Sequence, residues 1–305
     1  MTVAALALDG LLAPDHVGAA LTDALGTDVG AVAAIEVLEH KPGRRALLRF
    51  DTAGAGTVYG KVFPDRAQAE RTHDLMARIT GAVRTPPPLG RVDAMVVYEP
   101  LVGPALDDHV GTDAFITGLQ GAGRWLADLH GSRLDLPRVL DPEHEAANAT
   151  AWSTTVGQAF PDLAAPAVAL AARLGAAVLA PTGAPVPIHK DFHFQHVITG
   201  DRIGVVDVDE ARMGDPLFDV GHFVANLHLL ALRRGVTDSE REQWIASFCQ
   251  DRWSDEPRLR WYIAYTCVKL AKQLANGQGP RPRPEGTGRH DQAAWTLDRG
   301  LEVMA

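Results

Sequence analysis

The chain has 305 residues, 46% of them hydrophobic and 22% charged, with a formal net charge of −9 at pH 7. Those values are ordinary for a globular chain and exclude a disordered tail, a collagen and a disulfide miniprotein; the acidic balance speaks against a nucleic-acid partner, which would need a basic footprint. The length suffices for two average domains or one large bilobal one.

Residues 1–30, rich in Ala, Leu and Asp, read as one or two short helices. Their start, MTVAALALDGLLAPDH, has no basic region and carries Asp9 inside its apolar stretch, so a signal peptide is not expected. The segment 35–51 shows two apolar runs around Lys41-Pro42-Gly43, a turn signal, and TAGAG at 52–56 leads into a third β-rich run, TVYGKVF, at 57–63. Three such runs joined by tight turns predict an antiparallel meander. A helix is expected over 65–79, with Asp65 as N-cap and Leu75, Met76 and Ile79 on its apolar face, closed by the prolines at 86–88. AMVVYEPL, 94–101, reads as a buried strand.

Beyond residue 101 the texture turns helical. DAFITGLQGAGRWLADLHG, 113–131, has Phe115, Leu119, Trp125, Leu126 and Leu129 near helical spacing and Gly131 as its stop. The Ala-rich stretch 143–180 is expected to be mostly helical, 185–190 extended, and 196–209 a hairpin turning at Gly200-Asp201. Helical pattern then runs from Phe218 to about Ala275; 276–289 is a Gly/Pro/Arg loop, and a last helix leads to the C-terminus. Cys249 and Cys267, 18 positions apart, fit neither a zinc pair nor a disulfide framework, which favours a reducing, cytoplasmic setting. No apolar run reaches the ~18 residues of a membrane helix, so no membrane partner is expected. The expected organisation is α+β and bilobal: a small antiparallel-sheet lobe, 1–101, and a larger, mainly helical lobe, 102–305.

Charge is unevenly placed. Residues 101–220 hold 16 acidic and 7 basic side chains, while the remainder holds 22 of each. The whole excess lies in one stretch, which is either a solvated acidic surface or a region that attracts metal ions or cationic substrates.

The densest polar cluster is HKDFHFQH, 189–196, with three of the twelve histidines and Asp191. The following hairpin ends in VVDVD, placing Asp207 where an apolar strand emerges, and GDPLFD adds Asp215 and Asp219. A carboxylate at the end of a buried strand is costly unless something binds it, and several of them converging suggest a divalent cation and phosphate chemistry. Each aspartate alone would pass for a turn or cap residue; their arrangement behind His189-Lys190-Asp191 is what carries the signal.

In these motifs the chain resembles the aminoglycoside phosphotransferase and choline-kinase-like branch of the protein-kinase fold. The matching text is His189-Lys190-Asp191, then Val205-Val206-Asp207, then Gly214-Asp215-Pro216-Leu217-Phe218-Asp219. KPGRRALLRF is similar to the first hairpin of that family, YGKVF carries its nucleotide-binding lysine, YEPLVGPALDD resembles its hinge, and GRWLADLHG its LHxx helix. The resemblance covers roughly residues 35–230 and implies an ATP-dependent kinase, with GTP not distinguished, using Mg2+ and acting on a hydroxyl of a small molecule. Within it, Asp191 in the loop 189–196 would orient the acceptor hydroxyl and take its proton, and Asp207 in the segment 205–219 would hold the metal. Lys61 would contact the nucleotide phosphates and be oriented by Glu70. Backbone groups from Glu99 through Leu101 and Val102 would hold the adenine, and Arg44 or Arg45 would cover the phosphates. His189 would steady the loop, and Asp215 and Asp219 would fix the helix behind it.

One position departs from the family pattern: His196 stands where an asparagine is expected, five residues after Asp191. Imidazole suits Mn2+ or Zn2+ better than Mg2+, so His196 is a candidate metal ligand with Mn2+ as the alternative ion. Two other readings follow from this residue. One is a catalytically impaired kinase-like binding protein. The other is a zinc hydrolase using His189, Asp191, His193 and His196, which would leave YGKVF and the hinge-like segment unexplained. Gly60-Lys61 is no P-loop end, because Ala55 stands at the required first glycine and Val62 at the Ser/Thr. The acidic stretch favours a cationic acceptor such as an aminoglycoside; a sugar, nucleoside, macrolide or amino alcohol is the alternative. Nothing in the sequence fixes the oligomeric state.

Overall fold

The computed structural model describes residues 9–177, 183–253, 256–277 and 288–305. The chain forms two compact units, Met1–Gly103 with Gly204–Asp209, and Pro104–Ile203 with Glu210–Ala305. The segment 204–209 thus returns to the first unit, whereas the sequence pattern assigns all of 205–219 to the second. Its anchors are physical: the Val205 N–H donates to the Arg84 carbonyl at 3.1 Å, and Asp207 and Asp209 pair with Lys61.

In the first unit, α1 (Pro14–Leu25) precedes three strands, β1 (Val32–Lys41), β2 (Arg45–Thr52) and β3 (Gly56–Val62). The helix α2 (Arg66–Thr80) and strands β4 (Pro88–Val92) and β5 (Met95–Tyr98) complete it. The five strands form one antiparallel sheet in the order β1-β2-β3-β5-β4. Strict alternation along β2 buries Ala46, Leu48 and Phe50 against Val17 and Leu21 of α1. Asp65 caps α2 by accepting from the Gln68 N–H at 2.7 Å, as its sequence predicts. The helix ends at Thr80, with Gly81 after it, before the prolines at 86–88 expected to close it; the last of these prolines instead opens β4, a strand the sequence pattern does not reveal. A proline has no N–H to give a ladder, and Pro88 is tolerated because β4 is an edge strand and Pro88 its first residue.

The second unit is mainly helical. It holds α3 (Asp113–His130), α4 (Pro142–Ala159), α5 (Ala164–Ala176), β6 (Val186–Ile188) and β7 (Val197–Thr199). The short β8 (Ile203–Val205) leads back to the first unit; then come β9 (Arg212–Gly214), α6 (Leu217–Arg234), α7 (Asp238–Cys249), α8 (Pro257–Ala275) and α9 (Arg289–Val303). The helical pattern expected from Phe218 to about Ala275 resolves into three helices. Thr237 opens α7 with a capping box to Glu240, and Pro257 stands in the first turn of α8. The 278–287 part of the predicted loop and the last residues of the predicted 143–180 helical stretch lie outside the described residues. The central helix α6 is buried almost all round, and α8 packs against it closely enough that a Cβ on Gly221 would meet Tyr262 and the Ile263 backbone. β6 pairs antiparallel with β9, with Ile188 opposite Arg212, and so delivers the chain into the loop 189–196.

Candidate active site

The polar cluster of the first unit is built on β3. Gly60 is required by packing, since a Cβ there would run into Met95 and Phe50. The next residue, Lys61, is only 9% exposed, and its ammonium donates to Asp207 Oδ1 and, at 2.8 Å, to Asp209 Oδ1. Burial opposes its charge, but the two carboxylates outweigh burial and raise the Lys61 pKa. Burial, and then the charge of Asp207, raise that of Asp209. Asp207 itself sits at φ 65°, a left-handed conformation uncommon for aspartate. Arg45 Nη1 lies 3.9 Å from Asp207 Oδ2, while its Nε donates to Glu39 at 3.1 Å. The two aspartates offer hard oxygen donors converging on one cationic centre, a donor set that fits Mg2+.

One sequence expectation in this unit meets a different geometry, and the structure also shows where the other expected residues lie. The Lys61–Glu70 pair is not formed: Ala69, Thr72 and Met76 make the buried stripe of α2, so Glu70 faces outward and meets Arg91 at 3.4 Å. Arg44 is exposed on the turn, and Arg45 is the residue that reaches Asp207. Glu99 donates its N–H to the Pro87 carbonyl at 3.1 Å; Leu101 is half-buried and Val102 is 77% exposed.

In the second unit a buried carboxylate pins the start of the loop after β6. Asp219, on the first turn of α6, accepts from the backbone N–H groups of His189 at 2.7 Å and Lys190 at 2.8 Å, and lies 3.1 Å from His130 Nε2. It therefore fixes the loop itself rather than only the helix, and holds Lys190 at φ 77°. The Lys190 side chain leads away from Asp191, to Glu145 at 2.7 Å and over the Phe218 ring. Asp215 caps α6 through the Leu217 N–H at 3.0 Å and accepts from Arg258 at 2.7 Å.

Asp191 accepts a hydrogen bond from Lys269 Nζ at 2.7 Å, and His222 Nε2 lies 3.5 Å from the same oxygen, Oδ1. Burial alone would raise the Asp191 pKa; the Lys269 ammonium outweighs it and holds the carboxyl well below its usual range. Burial, and then His196, keep His193 neutral; burial, and then Lys269, do the same for His222. His196 donates from Nδ1 to the Asp191 carbonyl at 2.9 Å, because a carbonyl can only accept. It groups with Asp191 and His193, whereas Asp207 groups with Lys61 in the first unit.

Lys269, His222 and Asp209 are site residues that sequence reasoning does not single out. Lys269 carries a signal: it follows Tyr262 and Tyr265 by seven and four residues, which puts a lysine on the apolar face of α8. Asp209 stands in VVDVD, two positions after Asp207, and only the fold distinguishes its part from that of its neighbour.

An antiparallel sheet carrying a buried lysine–aspartate pair, and a helical unit whose His-Lys-Asp loop is pinned by the second aspartate of Gly-Asp-Pro-x-x-Asp, define a kinase-like phosphotransferase that acts on an alcohol group of a small molecule. The chain belongs to the phosphotransferase enzyme family, which it matches over residues 38–262. No curated protein matches it by sequence. Its fold is similar to that of a thermostable mutant of the aminoglycoside phosphotransferase APH(4)-Ia, solved with AMP-PNP and hygromycin B, with a TM-score of 0.61 at 17% identity over 94% of this chain and 97% of that one. It is also similar to spectinomycin phosphotransferase APH(9)-Ia, solved with ADP and spectinomycin, at TM-score 0.63, 11% identity, and 95% and 98% coverage. Choline kinase LicA from Streptococcus pneumoniae gives a TM-score of 0.58 at 14% identity, with 95% and 99% coverage. No described helix is long and apolar enough to cross a membrane.

Proposed function

We propose that the chain is an ATP-dependent O-phosphotransferase whose acceptor is a hydroxylated, cationic small molecule of the aminoglycoside or amino-alcohol type. The observation that carries this reading is Asp191, an ionised carboxylate on a loop locked by Asp219. Phosphoryl transfer through a loose transition state needs a positioned nucleophile more than a strong base. A carboxylate held well below its usual pKa is suited to positioning, since it accepts the hydrogen bond of the acceptor hydroxyl and orients the oxygen. It takes the proton late, as the new oxygen–phosphorus bond makes that hydroxyl acidic. The bond between the γ-phosphorus and its bridging oxygen breaks in the same step, and ADP leaves.

Lys61 would contact the α- and β-phosphates, and its present partners Asp207 and Asp209 would be the carboxylates that hold a cation. Asp207, with Asp209 beside it, would hold Mg2+, which when bound neutralises phosphate charge. Arg45, already directed at Asp207, is the arginine for the phosphates in place of Arg44. Glu99, Leu101 and Val102 follow β5 and are the adenine-side segment. The class of acceptor rests on the acidic excess of residues 101–220 and on the aminoglycosides and spectinomycin bound by proteins of like fold. Both cysteines are free thiols, in keeping with a cytoplasmic enzyme.

The test is ADP release by the purified protein with Mg·ATP across a panel of aminoglycosides, spectinomycin, choline, sugars, nucleosides and macrolides. Acceptor-dependent ADP release with an aminoglycoside or amino alcohol is expected. Tight Mg·ATP binding with no turnover on any acceptor would instead favour the impaired, kinase-like binding protein that His196 raises.

A further inference from the structure

The loop that carries Asp191 has a second capacity. Phe192 and Phe194 are buried to 0% and 2% exposure and anchor the loop, while Asp191 and His193, before and between them, are only partly buried. The chain then makes a single 3-10 turn, Phe194–His196, in which the His196 N–H donates to the His193 carbonyl at 3.0 Å. Residues three apart eclipse one another on such a turn, and the His193 and His196 rings accordingly lie 3.8 Å apart. One ligand atom each from Asp191, His193 and His196 can be chosen so that all three lie within 4.8 Å of one another.

Two details prepare this cluster for a metal. His196 donates Nδ1–H to the Asp191 carbonyl, which fixes its tautomer and leaves the lone pair on Nε2, the arrangement in which a backbone carbonyl orients a metal-ligating histidine. His193 Nδ1 is buried and without a hydrogen-bond partner among the described residues, a state that costs free energy until something binds there. Lys269 and His222 both approach Asp191 through Oδ1, and the other carboxylate oxygen faces no such competitor among those contacts.

We propose that Asp191, His193 and His196 form a transition-metal site, selective for Zn2+ over Mg2+, whose occupation stops phosphoryl transfer. Two imidazoles and one carboxylate are the ligand set of borderline ions, whereas Mg2+ demands oxygen. Water completes the tetrahedron. Binding follows from the cluster alone; inhibition rests on the proposed role of Asp191, since a carboxylate committed to zinc no longer orients a hydroxyl.

The experiment is a calorimetric titration of the metal-free, full-length protein with ZnCl2, without nucleotide, for the native chain and for His193→Ala, His196→Asn and the exposed control His16→Ala. One zinc per chain is expected, with affinity reduced at least tenfold in His193→Ala and in His196→Asn and unchanged in His16→Ala. Thermal melts without zinc check that each variant folds, and only the native chain and His16→Ala gain melting temperature when zinc is added. Equal affinity and equal thermal gain in all four proteins would overturn the site. Where an acceptor supports turnover, micromolar zinc should inhibit the native enzyme at least tenfold more strongly than His193→Ala. Ligand-dependent zinc binding in a protein without turnover would keep the site and remove the kinase reading; turnover with residue-independent zinc binding would do the reverse.

Discussion

The ammonium of Lys269, three turns into α8, stands 2.7 Å from Oδ1 of Asp191 and 3.2 Å from His222 Nε2. A cation at this distance keeps the carboxylate ionised and fixes which way it points. With Asp191 in its proposed role, Lys269 is a positioning residue for the reaction. Lys269→Met should lower kcat by about tenfold to a hundredfold while the Kd for Mg·ATP changes less than twofold. Lys269→Arg should recover most of the loss, which a purely packing role would not allow. A Lys269→Met enzyme with native kcat would show that the lysine has no part in positioning Asp191.

The partners of Lys61 differ from the one the sequence suggests. Glu70 meets Arg91 on the surface, whereas Asp209 meets the lysine directly. Glu70→Ala should leave Mg·ATP affinity within about twofold of native, a change below about 0.5 kcal/mol and ordinary for an exposed ion pair. Asp209→Asn should weaken Mg·ATP binding by about tenfold or more, as the loss of a charged group at a cation site does. Calorimetry on the two variants decides between them, and the opposite ranking would return Glu70 to the site.

Asp219 is the structural keystone of the loop. Replacing it with alanine strands the buried N–H of His189, leaves the Lys190 N–H without its acceptor, and deprives His130 of its partner. A hydrogen bond to a charged group contributes about 1.5–3 kcal/mol, and an orphaned buried donor costs more than the bond it lost. Asp219→Ala should therefore lower unfolding stability by about 3 kcal/mol or more, visible as a lower urea midpoint at unchanged m-value. A loss under about 1 kcal/mol would mean that the loop is held by something else.

His228, on the buried side of α6 away from the loop, supplies a pH dependence. Burial first, and then Arg299 and Arg241, push its pKa down to about 3. The unfolded chain takes up this proton below about pH 6.5 and the folded chain does not. Its contribution to stability is thus complete above pH 6.5 and is lost progressively as the pH falls from 6.5 toward 3. At pH 5 the loss amounts to about 2 kcal/mol. His228→Leu should erase that part of the acid destabilisation, so that the stability difference between variant and native grows by this amount from pH 7 to pH 5. A pH-independent difference would contradict it.

How much of the molecule is legible in its sequence depends on whether a local pattern or a distant partner sets each feature. The β1–β3 meander, the Asp65 cap of α2 and the Gly-Asp-Pro-x-x-Asp turn are local, and residues close in sequence carry them. β4 is hidden because prolines read as breakers, and only its place at the sheet edge makes Pro88 acceptable. The Lys61–Glu70 expectation fails on helix phase: one position separates Glu70 from the buried Ala69, and a single residue turns a side chain by about 100°. Lys269 lies 78 residues from Asp191, and no local pattern names that partner. Likewise Asp219 reads in sequence as a helix-fixing residue, because its bonds to His189 and Lys190 cross 30 and 29 residues.

The central claim is that Asp191 acts on the acceptor and not on the nucleotide. The most direct measurement pairs turnover with calorimetric Mg·ATP binding in Asp191→Ala, using whichever acceptor gives the highest rate with the native enzyme. Phosphoryl transfer should fall by at least about a thousandfold, within the range expected when a positioned general base is removed, while the Kd for Mg·ATP stays within about twofold of native. Near-native turnover in Asp191→Ala would contradict the claim outright, and an equal loss of Mg·ATP affinity would move Asp191 from the acceptor to the nucleotide.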